Sequence, residues 1–181
     1  KTHDKGVMIL SGYLRSQYAM EQALNLSASI CFEQSYGGVD GDSATLVETL
    51  VLISAITEIP LRQDVAVTGS MNQKGDIQAI GGVNEKIEGF YDVCKIQGLT
   101  GNQTVIIPES NVGDLILNEE VTAAIAHKKF HIFSVSTVED AIPIIMNMPA
   151  GARLKSRHFP KGTVNAKMVE RLKYFADLEK D

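Results

Sequence analysis

Apolar residues along the chain fall into short blocks whose spacing switches between strand-like and helix-like periods. Gly6 to Leu10 reads as a short strand. Tyr13 to Leu24 reads as an amphipathic helix, with Tyr13, Met20, Ala23 and Leu24 on one side. Ser27 to Phe32 fits a second strand, and a loop from Glu33 to Asp42 leads into a helix expected from Ser43 to about Thr57. That helix is apolar almost all round (Leu46, Val47, Leu50, Val51, Leu52, Ile53, Ile56), which predicts burial on most sides, and Pro60 ends it. Asp64 to Thr68 and Asp76 to Ile80 are extended runs, and the polar Gly69 to Gly75 between them predicts a hairpin. Asn84 can cap a helix running to Gln97, with Val83, Ile87, Phe90, Tyr91 and Cys94 on one face and Gly98 as its stop.

Thr104 to Ile107 then reads as a buried strand closed by Pro108, Glu119 to His127 as a helix, and Phe130 to Val135 as a strand. A helix follows from Thr137 to about Met146, opened by Thr137 with Asp140 three residues on. Strands alternating with helices, plus one hairpin, predict an α/β domain with a mixed sheet flanked by helices. Pro149-Ala150-Gly151 divides a body, residues 1–149, from a tail, residues 150–181. The tail is a basic linker followed by a helix over Lys167 to Leu178, striped with Met168, Leu172, Phe175 and Leu178, and extends the same domain.

With 181 residues, 44% of them hydrophobic, one domain with a sizeable core is the expectation. The net charge of -5 is unevenly spread. Residues 151–181 carry 8 Lys and Arg against 4 Asp and Glu, which leaves 9 against 18 in the rest. An acidic body argues against a nucleic-acid surface, which needs clustered Lys and Arg. Cys31 and Cys94 stand apart with no metal-ligand spacing and are expected to be reduced, mostly buried thiols of a cytoplasmic protein. No apolar run approaches the roughly 20 residues that span a bilayer, and no signal peptide is visible. The chain begins at Lys1 without Met, which suggests a segment of something larger.

Two glycine-marked loops carry the candidate chemistry. Gly37-Gly38-Val39-Asp40-Gly41-Asp42-Ser43-Ala44 precedes the most apolar helix, with Asp42 or Ser43 placed to cap it. A serine at a helix start lies beside unpaired backbone N–H groups that can stabilise a developing oxyanion. It needs a base, and Ile80-Gly81-Gly82-Val83-Asn84-Glu85-Lys86-Ile87 supplies Lys86. Lysine accepts a proton only when neutral, and free lysine ionises near about pH 10.4. Apolar Ile80, Val83, Ile87 and Phe90, and a place in the first turn of a helix, would both disfavour an ammonium there. Taken singly, such a lysine is ordinarily a solvated side chain, and a serine after aspartate an ordinary cap.

Other chemistries fit less well. Gly41-Asp42-Ser43-Ala44-Thr45 lacks the second glycine of a G-x-S-x-G elbow, and none of His3, His127, His131 and His158 stands in a glycine-marked loop. His127 and His131 are four apart but straddle a helix-to-strand passage, which argues against a metal site. No G-x-x-x-x-G-K-[ST] occurs, and the glycine loop at 37–41 has no Lys to meet a phosphate.

These residues carry a family resemblance. Asp40-Gly41-Asp42-Ser43-Ala44 and Ile80-Gly81-Gly82-Val83-Asn84-Glu85-Lys86, 43 positions apart from Ser43 to Lys86, closely resemble the serine and lysine motifs of the Lon protease proteolytic domain. Asp64-Val65-Ala66-Val67-Thr68-Gly69 resembles the family's strand and hairpin and Val105-Ile106-Ile107-Pro108 its next strand, and the likeness covers roughly residues 6–148. It implies a Ser-Lys dyad with Ser43 as nucleophile and Lys86 as general base, Thr68 orienting Lys86, and Asp40 supporting the active-site loop. Asp42, where A-type enzymes have proline, places the likeness nearer the B-type or related bacterial group; Ser29, Cys31 and Glu33 occupy the region where A-type members carry paired histidines, and no role is assigned to them. The resemblance further implies an ATP-driven homohexameric ring that degrades unfolded or tagged proteins. ATP and Mg would then belong to an ATPase domain elsewhere in the same polypeptide, with no cofactor in this segment. The alternatives are a non-proteolytic assembly module like those fused to some recombination ATPases, and a segment inactive apart from its neighbours.

Overall fold

A computed structural model describes residues 2–19, 24, 26–33 and 35–178. The chain opens with helix α1 (Thr2–Tyr18) and, after an irregular stretch, forms α2 (Thr45–Thr57), β1 (Val65–Val67) and the hairpin strands β2 (Ser70–Met71) and β3 (Ile77–Gln78). Helix α3 (Val83–Gln97), β4 (Thr104–Pro108), a 3-10 turn (Glu109–Asp114), α4 (Glu119–Ala126), β5 (His131–Val135), α5 (Val138–Met146) and α6 (Val164–Leu178) complete it.

The centre is a parallel sheet in the order β1-β4-β5, with Ala66 opposite Val105 and Val105 opposite Ile132. All five β4 residues are buried, as a middle strand covered on both faces requires. Side chains alternate along it: Ile106, with Val65, Val67 and Val135, joins the core under α1, α2, α5 and α6, whereas Val105 and Ile107, with Ala66 and Ile132, join a second core under α3 and α4. The result is three layers, helices on both sides of a sheet, in the α/β class expected.

The antiparallel pairing lies between β2 and β3, so the first arm of the hairpin is Ser70–Met71 and not Asp64 to Thr68, which pairs in parallel with β4 instead. Ile77 N donates to Ser136 O and Val138 N to Gly75 O, which stitches the hairpin to the end of β5.

Two expected strands are absent. Gly6 to Leu10 lies inside α1, because Leu10, Tyr13, Leu14 and Tyr18 form one buried helical stripe while Val7 and Met8 face solvent. Ser27 to Phe32 is irregular and largely exposed. The expected first helix thus starts earlier and ends at Tyr18; residues 20–23, its predicted last turn, lie outside the described residues.

Helix ends also differ. Helix α2 stops at a left-handed Glu58, two residues before Pro60. Asn84 does not cap α3; Gly82 does, at φ 68, a left-handed backbone that favours glycine. Helix α5 begins as predicted, with Thr137 Oγ1 accepting from Asp140 N and Asp140 Oδ2 accepting from Thr137 N.

The tail packs on the body. Val164, Met168 and Leu172 of α6 are buried in the same core as α2, and Leu178 is exposed. Tyr18 donates to Asn165 Oδ1 at 2.6 Å, and Asn165 Nδ2 donates to Gly151 O. Burial pushes the Tyr13 and Tyr18 hydroxyls well above the usual phenol range. Cys94 is buried as expected, and burial pushes its thiol up; Cys31 is exposed, because the segment carrying it forms no strand against the body. No helix among the described residues is long and apolar enough to cross a membrane.

Candidate active site

Ser43 sits in a turn immediately ahead of α2, not at its first residue. The helix cap is Ala44, without a side-chain cap bond, and Thr45 Oγ1 donates to Asp42 O. The turn is held from the side by β1's continuation: Gly69 N donates to Ser43 O at 2.8 Å, and Leu46 N donates back to Gly69 O at 3.1 Å. Gly69 must lie this close. A Cβ there would stand 3.1 Å from Leu46 and 3.2 Å from Ile77.

Lys86 comes from the opposite layer. The diglycine turn at Gly81-Gly82 launches α3, and Lys86 N donates to Gly82 O. Its Nζ donates to Ser43 Oγ at 3.2 Å. Two residues 43 positions apart, one from each face of the sheet, therefore meet within hydrogen-bond reach. Ser43 and Lys86 share a cleft of about 300 Å³ whose walls are Phe32, Val47, Ala66, Val67 and Val105.

Lys86 is exposed in this chain, and the neighbours expected to desolvate it point elsewhere. Ile80, Val83 and Ile87 are buried under α3, and Phe90 packs half-buried against the same core. Three residues after Val83 and four before Phe90, Lys86 stands at the margin of that stripe, and its side chain stays exposed there.

Thr68 is buried beside the pair and lines the same cleft, but its hydroxyl reaches the Ser43 carbonyl, at 3.5 Å, and its N–H is taken by Ile106 O. Asp40 is exposed and its Oδ1 accepts from Gly41 N, a bond within its own loop. Asp42 Oδ2 lies 3.6 Å from Lys5 Nζ of α1. Glu33 is exposed.

The histidines stand apart from the pair. His127 and His131 bind backbone carbonyls, of Ala123 and Gly101, and His3 lies 3.4 Å from Glu48. Among the described residues no group of three or more His, Cys, Asp and Glu is placed to hold a metal ion.

One set of residues around the site escaped sequence reading. Asn111, Asp114 and Asn84 form a buried-to-exposed hydrogen-bond chain around the diglycine turn. Asn111 follows a strand ended by proline, an ordinary turn signal, and nothing in its spacing points back to Ile80.

Residues 15–148 match the Lon protease (S16) C-terminal proteolytic domain. Among curated relatives, a Lon protease homolog of Escherichia coli (strain K12) is 48% identical over 146 residues, 81% of this chain and 25% of that protein. Another Lon protease homolog, from Haemophilus influenzae, is 43% identical over 143 residues, 79% of this chain and 24% of its own length. An archaeal Lon protease of Methanocaldococcus jannaschii is 41% identical over 124 residues, 68% of this chain and 17% of that protein. The chain thus spans a quarter or less of the length of these relatives. On the family match and these identities, the chain belongs to the Lon protease (S16) proteolytic domain family.

Proposed function

We propose that this chain is the peptide-cutting part of an ATP-driven protease, with Ser43 as nucleophile and Lys86 as general base. The observation that carries the reading is the 3.2 Å hydrogen bond from Lys86 Nζ to Ser43 Oγ, made inside a cleft. In its neutral form Lys86 takes the hydroxyl proton as Oγ attacks the scissile carbonyl, and then gives that proton to the departing amine. The acyl-enzyme on Ser43 is cleaved by water, with Lys86 again taking the proton. Backbone N–H groups of Ser43 and Ala44 are the oxyanion donors, because those of Thr45 and Leu46 are already bonded to Asp42 O and Gly69 O.

The apolar walls suit an apolar side chain of an unfolded polypeptide, which is the substrate class this reading assigns. ATP and Mg act in a motor domain elsewhere in the polypeptide, and the assembled protease is a cytoplasmic hexameric ring. The alternative, a non-proteolytic assembly module, is disfavoured by a serine and a lysine already at bonding distance.

The test is hydrolysis of an unfolded protein by the intact protein carrying Ser43→Ala or Lys86→Ala, with circular dichroism as a folding control. Both variants should fold and lose cleavage by about 10³-fold or more. Near-normal cleavage by a folded Lys86→Ala protein overturns the mechanism.

A further inference from the structure

We infer that Asn111 is a positioning residue for Lys86, an assignment that rests on the dyad reading above. Asn111 lies in the 3-10 turn after β4 and is 3% exposed. Its side-chain amide grips both backbone groups of one residue: Oδ1 accepts from Ile80 N at 2.9 Å, and Nδ2 donates to Ile80 O at 3.1 Å. The second Nδ2 hydrogen goes to Asp114 Oδ2 at 3.0 Å. Three of the four hydrogen bonds available to the amide are made, all with defined partners.

Ile80 is the residue at which the chain enters the diglycine turn. The far side of that turn is held from the same segment: Asn84 Nδ2 donates to Asp114 O at 2.9 Å, and Ile116 N donates to Asn84 Oδ1 at 2.8 Å. Residues 111–116 therefore clamp both ends of Gly81-Gly82, a turn that no side chain of its own can stiffen and whose second residue takes φ 68. The direction in which α3 leaves this turn decides where Lys86 Nζ arrives. Neither a carboxylate nor a methyl group gives the same grip. Aspartate at 111 cannot donate to Ile80 O and would set two carboxylates together, and alanine leaves the buried N–H and carbonyl of Ile80 without partners.

Asn111→Ala and Asn111→Asp in the intact protein, assayed on an unfolded protein substrate, test this. Each should lower kcat by about tenfold or more with KM within about threefold, the pattern of a displaced catalytic group. The rate at which a fluorophosphonate labels Ser43 should fall by the same factor. Asn118→Ala, which removes only the cap of α4, should lower Tm and leave kcat unchanged. In a Lys86→Ala background, Asn111→Ala should slow labelling no further.

A folded Asn111→Ala protein with normal kcat, or one whose loss is fully additive with that of Lys86→Ala, overturns the assignment. Should both Asn111 variants fail to fold, the half-exposed Asn84→Ala carries the test: about threefold lower kcat supports the clamp, and an unchanged kcat overturns it. Cleavage surviving in Lys86→Ala sinks the dyad and this assignment together, whereas an inactive Lys86→Ala with an unaffected Asn111→Ala sinks this one alone.

Discussion

The N–H of Gly69 is bonded to the carbonyl of Ser43 at 2.8 Å, so the turn presenting Ser43 is fixed by a backbone with no side chain to keep it away. Gly69→Ala would place a Cβ 3.1 Å from the Leu46 side chain, tighter than most packed carbons lie, so that neighbour must give way slightly. Overpacking of this kind costs about 1–3 kcal/mol. The expected outcome is a lower Tm together with slower fluorophosphonate labelling of Ser43 at temperatures where the protein is still folded. Unchanged labelling would mean that the turn holds without this contact.

Glu48, on α2 one turn beyond the Ser43 turn, is 2% exposed, and neither carboxylate oxygen has a hydrogen-bond partner among the described residues. Burial raises its pKa above the ordinary 4.5, and nearby His3 works in the opposite direction. The folded state thus keeps this proton to higher pH than the unfolded chain does. Its contribution to stability is present at low pH and is lost as pH rises through the folded value. Glu48→Gln removes the ionisation. Thermal melts from pH 4 to pH 8 should therefore show the parent losing Tm relative to the variant as pH rises, and parallel curves would refute the prediction.

The two cysteines should separate by reactivity. Cys31 is exposed, whereas Cys94 is buried and its thiol is held protonated by that burial. A thiol reagent at neutral pH should modify one cysteine per chain rapidly and the second only after denaturation, with Cys31→Ser abolishing the fast phase.

Met168 of α6 is fully buried against the core it shares with α2. Met168→Ala should cost about 2–5 kcal/mol. For a domain of this size each kcal/mol lowers Tm by about 2–4 °C. Differential scanning calorimetry should show one transition moved down as a whole; a separate small transition for the tail would show that α6 is dispensable to the body.

Much of the fold was legible because its signals were long or chemically specific. The stripe Val83, Ile87, Tyr91 and Cys94 with Gly98 marked α3, and Thr137 with Asp140 marked the start of α5. Short apolar runs were not decisive. Gly6 to Leu10 looks like a strand because Val7 and Met8 are apolar yet face solvent, and only the continuation through Tyr13, Leu14 and Tyr18 reveals a helix. The parallel pairing of Val65–Val67 with Thr104–Ile106 joins residues about 40 positions apart, and a strand's alternation does not name its partner.

The site divides in the same way. The glycine loops pointed to Ser43 and Lys86, whose side chains meet. What surrounds them was illegible. Asn84 signalled a helix cap and is instead half of a clamp, and the apolar stripe of Val83, Ile87 and Phe90 did not reveal that Lys86, at its margin, stays exposed.

The three-layer build makes the meeting of Ser43 and Lys86 a property of the whole fold. Ser43 is carried by one hydrophobic core and Lys86 by the other, with the sheet between them. The two side chains meet only while both cores are packed against the sheet, so loosening either layer would draw them apart.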